Sequence, residues 1–186
     1  MKKGNLDIKK LREMMLLYPG KVWGVTSVKR RTGKSYISML LAEELRKIRK
    51  EVLVVSFKEL SKEKSYTLQG LDEALEFFGK STQAEYLYIN DLEHAEERIL
   101  NERFVELIEL CKQQYDYVIL DMKAIEETGF TKLMCKMCDD TLIVVTKDQA
   151  DGIETGKCVK HLQEQGIKVS GLILNEYCRR KSILKM

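Results

Sequence analysis

The chain has 186 residues, 44% of them apolar and 33% charged, with one proline and 11 glycines. That is about one domain's worth of chain at roughly 150 residues per domain, and the composition excludes collagen-like, proline-rich and strongly disordered classes. The 32 basic and 29 acidic residues leave a net charge of +3, too small for a general polyanion binder. No run approaches about 18 apolar residues, so no membrane-spanning helix is expected. The basic start Met1-Lys2-Lys3-Gly4-Asn5 lacks the apolar core of about 7–15 residues that a signal peptide needs. The expected compartment is the cytoplasm, where Cys111, Cys135, Cys138, Cys158 and Cys178 are expected to be reduced and partly buried.

Strands and helices alternate along the chain. Leu11, Met14 and Met15 give residues 9–17 helical spacing, ending at Tyr18-Pro19-Gly20. Val22 to Thr26 reads as a short buried strand. From Lys34 to Arg49 the apolar residues Ile37, Leu40, Leu41, Leu45 and Ile48 form a helical stripe. Val52 to Val55 is a continuous apolar strand. The lysine-rich stretch Lys58 to Thr67 reads as loop, and Gly70 to Phe78 as a short helix. A strand at Tyr86–Ile89 follows, then a helical stripe of Leu100, Phe104, Leu107, Ile108 and Cys111. Tyr117 to Leu120 is a strand ending at Asp121. A helix over about 128–137, a strand at Leu142–Val145, a helix over about 153–165 and a strand over about 169–174 complete the pattern. Unbroken apolar strands separated by helices predict an α/β fold with a mostly parallel sheet covered by helices on both faces. With no repeat, linker or low-complexity segment, 1–186 reads as a single domain, with 1–20 as a helical N-terminal extension and 176–186 as a short basic tail.

Chemistry concentrates after the first strand. Ser27-Val28-Lys29-Arg30-Arg31-Thr32-Gly33-Lys34-Ser35 leads from that strand into a helix. Strand, loop, Gly-Lys-Ser and helix form the setting of a phosphate-binding loop. The first N–H groups of a helix point outward, and its dipole favours negative charge there. Lys34 is placed to reach the terminal phosphates and the Ser35 hydroxyl to hold Mg²⁺.

Further segments carry a family resemblance. Lys21-Val22-Trp23-Gly24-Val25-Thr26-Ser27, Gly70-Leu71-Asp72-Glu73-Ala74-Leu75, Asn101-Glu102-Arg103-Phe104, Tyr115-Asp116-Tyr117-Val118-Ile119-Leu120-Asp121 and Gly171-Leu172-Ile173-Leu174-Asn175 occur in order with the loop. Together they resemble the Min/Par group of P-loop ATPases, and most of all its branch of bacterial tyrosine kinases and related ATPases of capsule and exopolysaccharide synthesis. The resemblance implies a P-loop NTPase-like domain binding ATP or ADP with Mg²⁺. Lys29 falls at the group's signature lysine. Lys29, Arg30, Arg31, Thr32, Gly33, Lys34, Ser35 and Tyr36 would line the phosphates, Lys34 and Asp121 would be the catalytic residues, Ser35 and Asp121 would serve the metal, and Asn175 would contact adenine. The implied partners are the nucleotide, a membrane-anchored polysaccharide regulator and further copies of the chain. Any membrane association would run through that regulator.

The departures from the family pattern shape the functional expectation. Val28, Arg30 and Arg31 stand where the family loop is rich in glycine, which permits positive φ and close backbone approach. The second strand ends Val55-Ser56-Phe57-Lys58, without the two aspartates of the family's Walker A′ motif, so weak or absent catalysis is expected. Lys29, Arg30, Arg31 and Lys34 could offset the missing glycines electrostatically. Met122-Lys123-Ala124 replaces the family's Thr-Pro-Pro, the N-terminal ring-forming Glu/Arg pattern has no clean counterpart, and Tyr177 stands without a tyrosine cluster. These changes put ring assembly and autophosphorylation in doubt and argue against an ordinary kinase or fast ATPase. The alternative is a pseudo-ATPase that serves as a regulatory or protein-binding module without nucleotide. Nucleic acid is disfavoured as a partner by the low net charge. The Cys135/Cys138 pair lacks the second pair of ligands a structural zinc site needs, and His94 and His161 stand without triad or ligand partners.

Overall fold

The computed structural model describes residues 4–57, 65–68, 71–80, 84–89, 97–150 and 152–176. Gly70, Lys58, His94 and the tail 177–186 lie outside them. The elements run α1 (Gly4–Leu17), β1 (Val22–Thr26), α2 (Lys34–Arg46), β2 (Val52–Ser56), β3 (Ser65–Leu68), α3 (Leu71–Gly79), β4 (Tyr86–Ile89), α4 (Glu97–Gln114), β5 (Tyr117–Asp121), α5 (Phe130–Met137), β6 (Asp140–Val145), α6 (Lys147–Ala150), α7 (Ile153–Glu164) and β7 (Val169–Leu174). The strands form a seven-stranded sheet in the order β3-β4-β2-β5-β1-β6-β7, with every neighbouring pair parallel.

Strand periodicity divides the interior into two cores, one on each face of the sheet. Leu53, Val55, Val118, Leu120, Ile143 and Val145 point to one side, where α3, α4, α5 and α7 bring Phe78, Phe104, Leu107, Met134 and Leu162. Trp23, Val25, Val52, Val54, Ile119, Leu142 and Val144 point to the other side, where α2 brings Ile37, Leu41 and Leu45. Helices on both faces explain why β1, β2, β5 and β6 are buried along their whole length and so read as unbroken apolar runs. Gly24 is closely packed: a Cβ there would lie 2.6 Å from Met122 Cε and 2.9 Å from Cys138 Sγ, so those side-chain ends would have to shift.

The structure modifies three expectations. The N-terminal segment is an integral layer, because Ile8 and Met15 of α1 are buried in the same core as α2, and Arg12 pairs with Glu44 of α2 at 3.4 Å. The end of the stretch read as loop, Ser65–Thr67, belongs to the edge strand β3, which among the described residues pairs with β4 alone. An edge strand faces weaker demands for apolar patterning, which hides it within a polar stretch. Helix α2 ends at Arg46, and Arg49 turns the chain with φ 63°. The short helix α6 was not anticipated.

Cys135 is buried in the core, its thiol pushed up to about 12 mainly by burial. Cys138 Sγ donates to Met134 O at 3.3 Å. Both are packing residues, and among the described residues no group of three His, Cys, Asp or Glu side chains could hold a metal. His161 sits at the surface against Gln165. No helix of the described residues is long and apolar enough to cross a membrane.

If α1 is a core layer, Met15→Ala should lower the unfolding free energy by about 2–4 kcal/mol, the range for truncating a fully buried methionine. Urea titration measures this. A loss below about 1 kcal/mol would mean that α1 contributes little.

Candidate phosphate-binding site

β1 lies between β5 and β6, so the turn from β1 into α2 opens at the carboxyl ends of the central strands, where α/β sheets form their ligand crevices. Thr26 anchors the exit by donating its hydroxyl to Lys123 O at 2.8 Å. Ser27 donates to Lys29 O at 2.6 Å, tightening the loop start. Two residues then take the left-handed conformation, Arg31 at φ 61° and Gly33 at φ 86°. Gly33 begins the helix, with its carbonyl accepting from Ile37 N–H at 3.1 Å, and no side chain caps the helix end.

Gly33, Lys34 and Ser35 stand at the junction of the loop and the first turn of α2. Lys34 is buried at 3% exposure at the start of α2, Ser35 is half-buried beside it, and Tyr36 is exposed on the outer face. Thr32 is fully buried, and its hydroxyl oxygen has no hydrogen-bond partner. Asn175 follows β7, held by its N–H donating to Val145 O at 2.8 Å. Its side-chain amide donates to Thr32 O at 2.8 Å. A Cβ on Gly33 would collide with that amide. Glycine is therefore demanded twice at this position, by φ and by space.

Asp121 ends β5, in register with Val25 of β1 and Ser56 of β2. It is 2% exposed and its Oδ2 accepts from Ser56 Oγ at 3.0 Å. Ser56 thus fills the acid-free position at the end of β2 with a neutral donor to the neighbouring carboxylate. Tyr88 of β4 is in register with Ser56. Burial foremost, with Tyr86 and the Asp121 charge, pushes its phenol pKa up, so Tyr88 stays a neutral hydroxyl here.

The loop cations divide. Lys29 Nζ lies 2.5 Å from Glu154 Oε2 in the first turn of α7. That hydrogen bond raises the Lys29 pKa and lowers that of Glu154. Arg30 Nε lies 3.0 Å from Glu127 Oε1, and Arg30 N–H donates to Glu126 Oε1 at 3.0 Å. The segment after β5 is zipped to the loop by Ile125 N–H on Ser27 O at 2.9 Å and Glu126 N–H on Val28 O at 3.2 Å. Arg31 is exposed. Thr32, Gly33, Lys34, Ser35 and Asn175 therefore gather at the start of α2 with Asp121 on the adjoining strand, while Lys29 and Arg30 sit on carboxylates. Glu126, Glu127 and Glu154 were not identified from sequence. Glu126 and Glu127 follow Asp121 closely, but Glu154 carries no sequence signal.

The donor set fits a polyphosphate with Mg²⁺. The buried Thr32 hydroxyl lacks a partner, the uncapped helix end favours an anion, and the Ser35 hydroxyl and Asp121 carboxylate are the hard oxygen donors that Mg²⁺ takes.

No protein-family model matches the sequence, and no curated protein matches it. Solved structures do match. The kinase domain of the Escherichia coli tyrosine kinase ETK superposes with a TM-score of 0.73 at 16% identity, covering 98% of this chain and 79% of that one. A chain of the Aquifex aeolicus MinC:MinD cell division protein complex superposes at 0.65 with 21% identity, covering 83% of this chain and 68% of that one. The septum site-determining protein MinD of Pyrococcus horikoshii OT3, complexed with Mg-ADP, gives 0.56 at 20% identity, covering 87% and 72%. The chain has the P-loop α/β fold shared by bacterial tyrosine kinase domains and the MinD/ParA ATPases.

The two left-handed positions should respond oppositely to substitution. Gly33→Ala forces a Cβ into the Asn175 amide and is expected to cost about 1–3 kcal/mol. Arg31→Gly removes a left-handed side chain and should be neutral or stabilising by up to about 1 kcal/mol. Chemical denaturation decides, and a larger loss from Arg31→Gly than from Gly33→Ala would contradict this account of the loop.

Proposed function

We propose that the chain binds a nucleoside di- or triphosphate with Mg²⁺ at the start of α2 and turns it over slowly or not at all. The supporting observation is the buried Lys34 directly after the left-handed Gly33, with Asp121 at the end of a neighbouring strand. In this reading Lys34 meets the terminal phosphates, Ser35 and Asp121 hold the metal, and Thr32 and Gly33 line the phosphate chain. Bound Mg²⁺ would supply charge neutralisation on the phosphate oxygens.

Weak catalysis is supported by Ser56. Its hydroxyl hydrogen-bonds Asp121 but offers the metal and an attacking group no second carboxylate. Losing such a group typically costs several kcal/mol of transition-state stabilisation, and each 1.36 kcal/mol is about a factor of ten in rate. Any residual activity would be ATPase or tyrosine-kinase-like phosphoryl transfer. The resemblance to capsule and exopolysaccharide kinases extends the proposal to a role at the cytoplasmic face of the envelope, beside a membrane-anchored polysaccharide regulator.

A second reading keeps the fold as a protein-binding module without nucleotide. It is favoured by the engagement of Lys29 and Arg30 with carboxylates of the same chain.

Calorimetric titration with Mg·ATP and Mg·ADP separates the two. The first reading expects micromolar binding that Lys34→Ala abolishes. No binding at millimolar nucleotide would sink it and leave the binding module.

A further inference from the structure

The phosphate loop carries a cluster of basic residues, yet two of its cations are held by acidic side chains from other parts of the chain. Lys29 is bound by Glu154 at the start of α7. Arg30 is bound by Glu127 in the segment after β5. Glu127 is itself fixed, because its other oxygen accepts from Ala124 N–H at 2.5 Å and its side chain is only 16% exposed. Both cations are therefore engaged by carboxylates of the same chain.

We propose that Glu127 and Glu154 set the affinity of this site, holding Arg30 and Lys29 at its rim until a polyphosphate takes the two cations from them. The inference rests on the polyphosphate reading of the loop. Both pairs are open to solvent on at least one side, with Lys29 46% and Glu154 72% exposed and Arg30 68% exposed. Exposed ion pairs of this kind are weak and screened. A polyphosphate offers each cation more than one negative charge and several acceptor oxygens, so the exchange favours the ligand once it is seated. The backbone need not move. Arg30 N–H stays on Glu126 while the side chains change partner. In the free protein the paired cations attract anions less, so the carboxylates lower affinity without obstructing the helix end.

The test compares binding of Mg·ATP and of magnesium-loaded inorganic triphosphate by the intact chain, Glu127→Gln, Glu154→Gln and the double variant, with Lys34→Ala as the control for the site. Glutamine keeps an acceptor for Ala124 N–H, and a melting curve confirms that each variant is folded. Each single variant is expected to bind both ligands about threefold to fivefold more tightly, and the double variant about tenfold. Both ligands should respond alike, because the competition acts on the phosphate chain and not on a base. In a Lys29→Ala background, Glu154→Gln should have no effect. Unchanged or weaker binding by the glutamine variants, with binding still dependent on Lys34, would overturn the competition and leave the polyphosphate reading standing. A gain from Glu154→Gln that persists without Lys29 would also overturn it, by showing a general field effect. Absence of binding in every variant at millimolar ligand would remove both.

Discussion

Everything at the candidate site depends on how β1 becomes α2. The strand is hemmed in by β5 and β6 and buried on both faces, so the chain must leave the sheet after Thr26 and begin a helix at Lys34 that packs back on the same sheet. The reversal is made with left-handed residues at Arg31 and Gly33. Gly33 has no substitute, since the Asn175 amide fills the space a side chain would need. The consequence is a helix end without a side-chain cap, aimed along the carboxyl edge of a parallel sheet. There the ends of β2, β5 and β7 bring Ser56, Asp121 and Asn175 to it.

Charge placement sets what such an end can do. Asp121 is buried and keeps a hydrogen-bond donor in Ser56. Two carboxylates side by side at these strand ends would repel each other and depend on a metal for compensation, whereas the Ser56–Asp121 pair is compatible with the fold by itself. At the rim, Lys29 and Arg30 are neutralised by Glu154 and Glu127, which joins the loop to the segment after β5 and to the start of α7. A multivalent anion arriving at α2 would act on all three, a route by which occupancy could reach the surface of the molecule.

The layer structure was legible because strands covered on both faces must be apolar throughout, as Val52–Val55 and Tyr117–Leu120 are, and because the α2 stripe is amphipathic. The placement of Gly33, Lys34 and Ser35 between a buried strand and a helix was legible because local sequence sets it. Less was visible where the determining contact is distant. The burial of α1 depends on Ile8 and Met15 meeting residues of α2 and the sheet, and a short amphipathic stretch does not announce whether a partner exists. The Asn175–Thr32 bond spans a separation of 143 residues. It gives Asn175 a strut role in the loop that the family resemblance, which assigns it to adenine, does not contain. Glu154 and Glu127 were invisible for the same reason: an exposed glutamate in a charged segment looks like any other until the fold places a lysine or arginine against it.

We propose that the start of α2 works as an anion site despite its sparse glycines. The most direct measurement is a backbone amide NMR titration of the intact chain with Mg·ATP. The account predicts saturable shifts largest at the amides of Gly33, Lys34, Ser35 and Tyr36, accompanied by shifts around Lys29, Arg30, Glu127 and Glu154 as the rim pairs open. No shifts at millimolar ligand, or shifts confined to residues away from this loop, would contradict it.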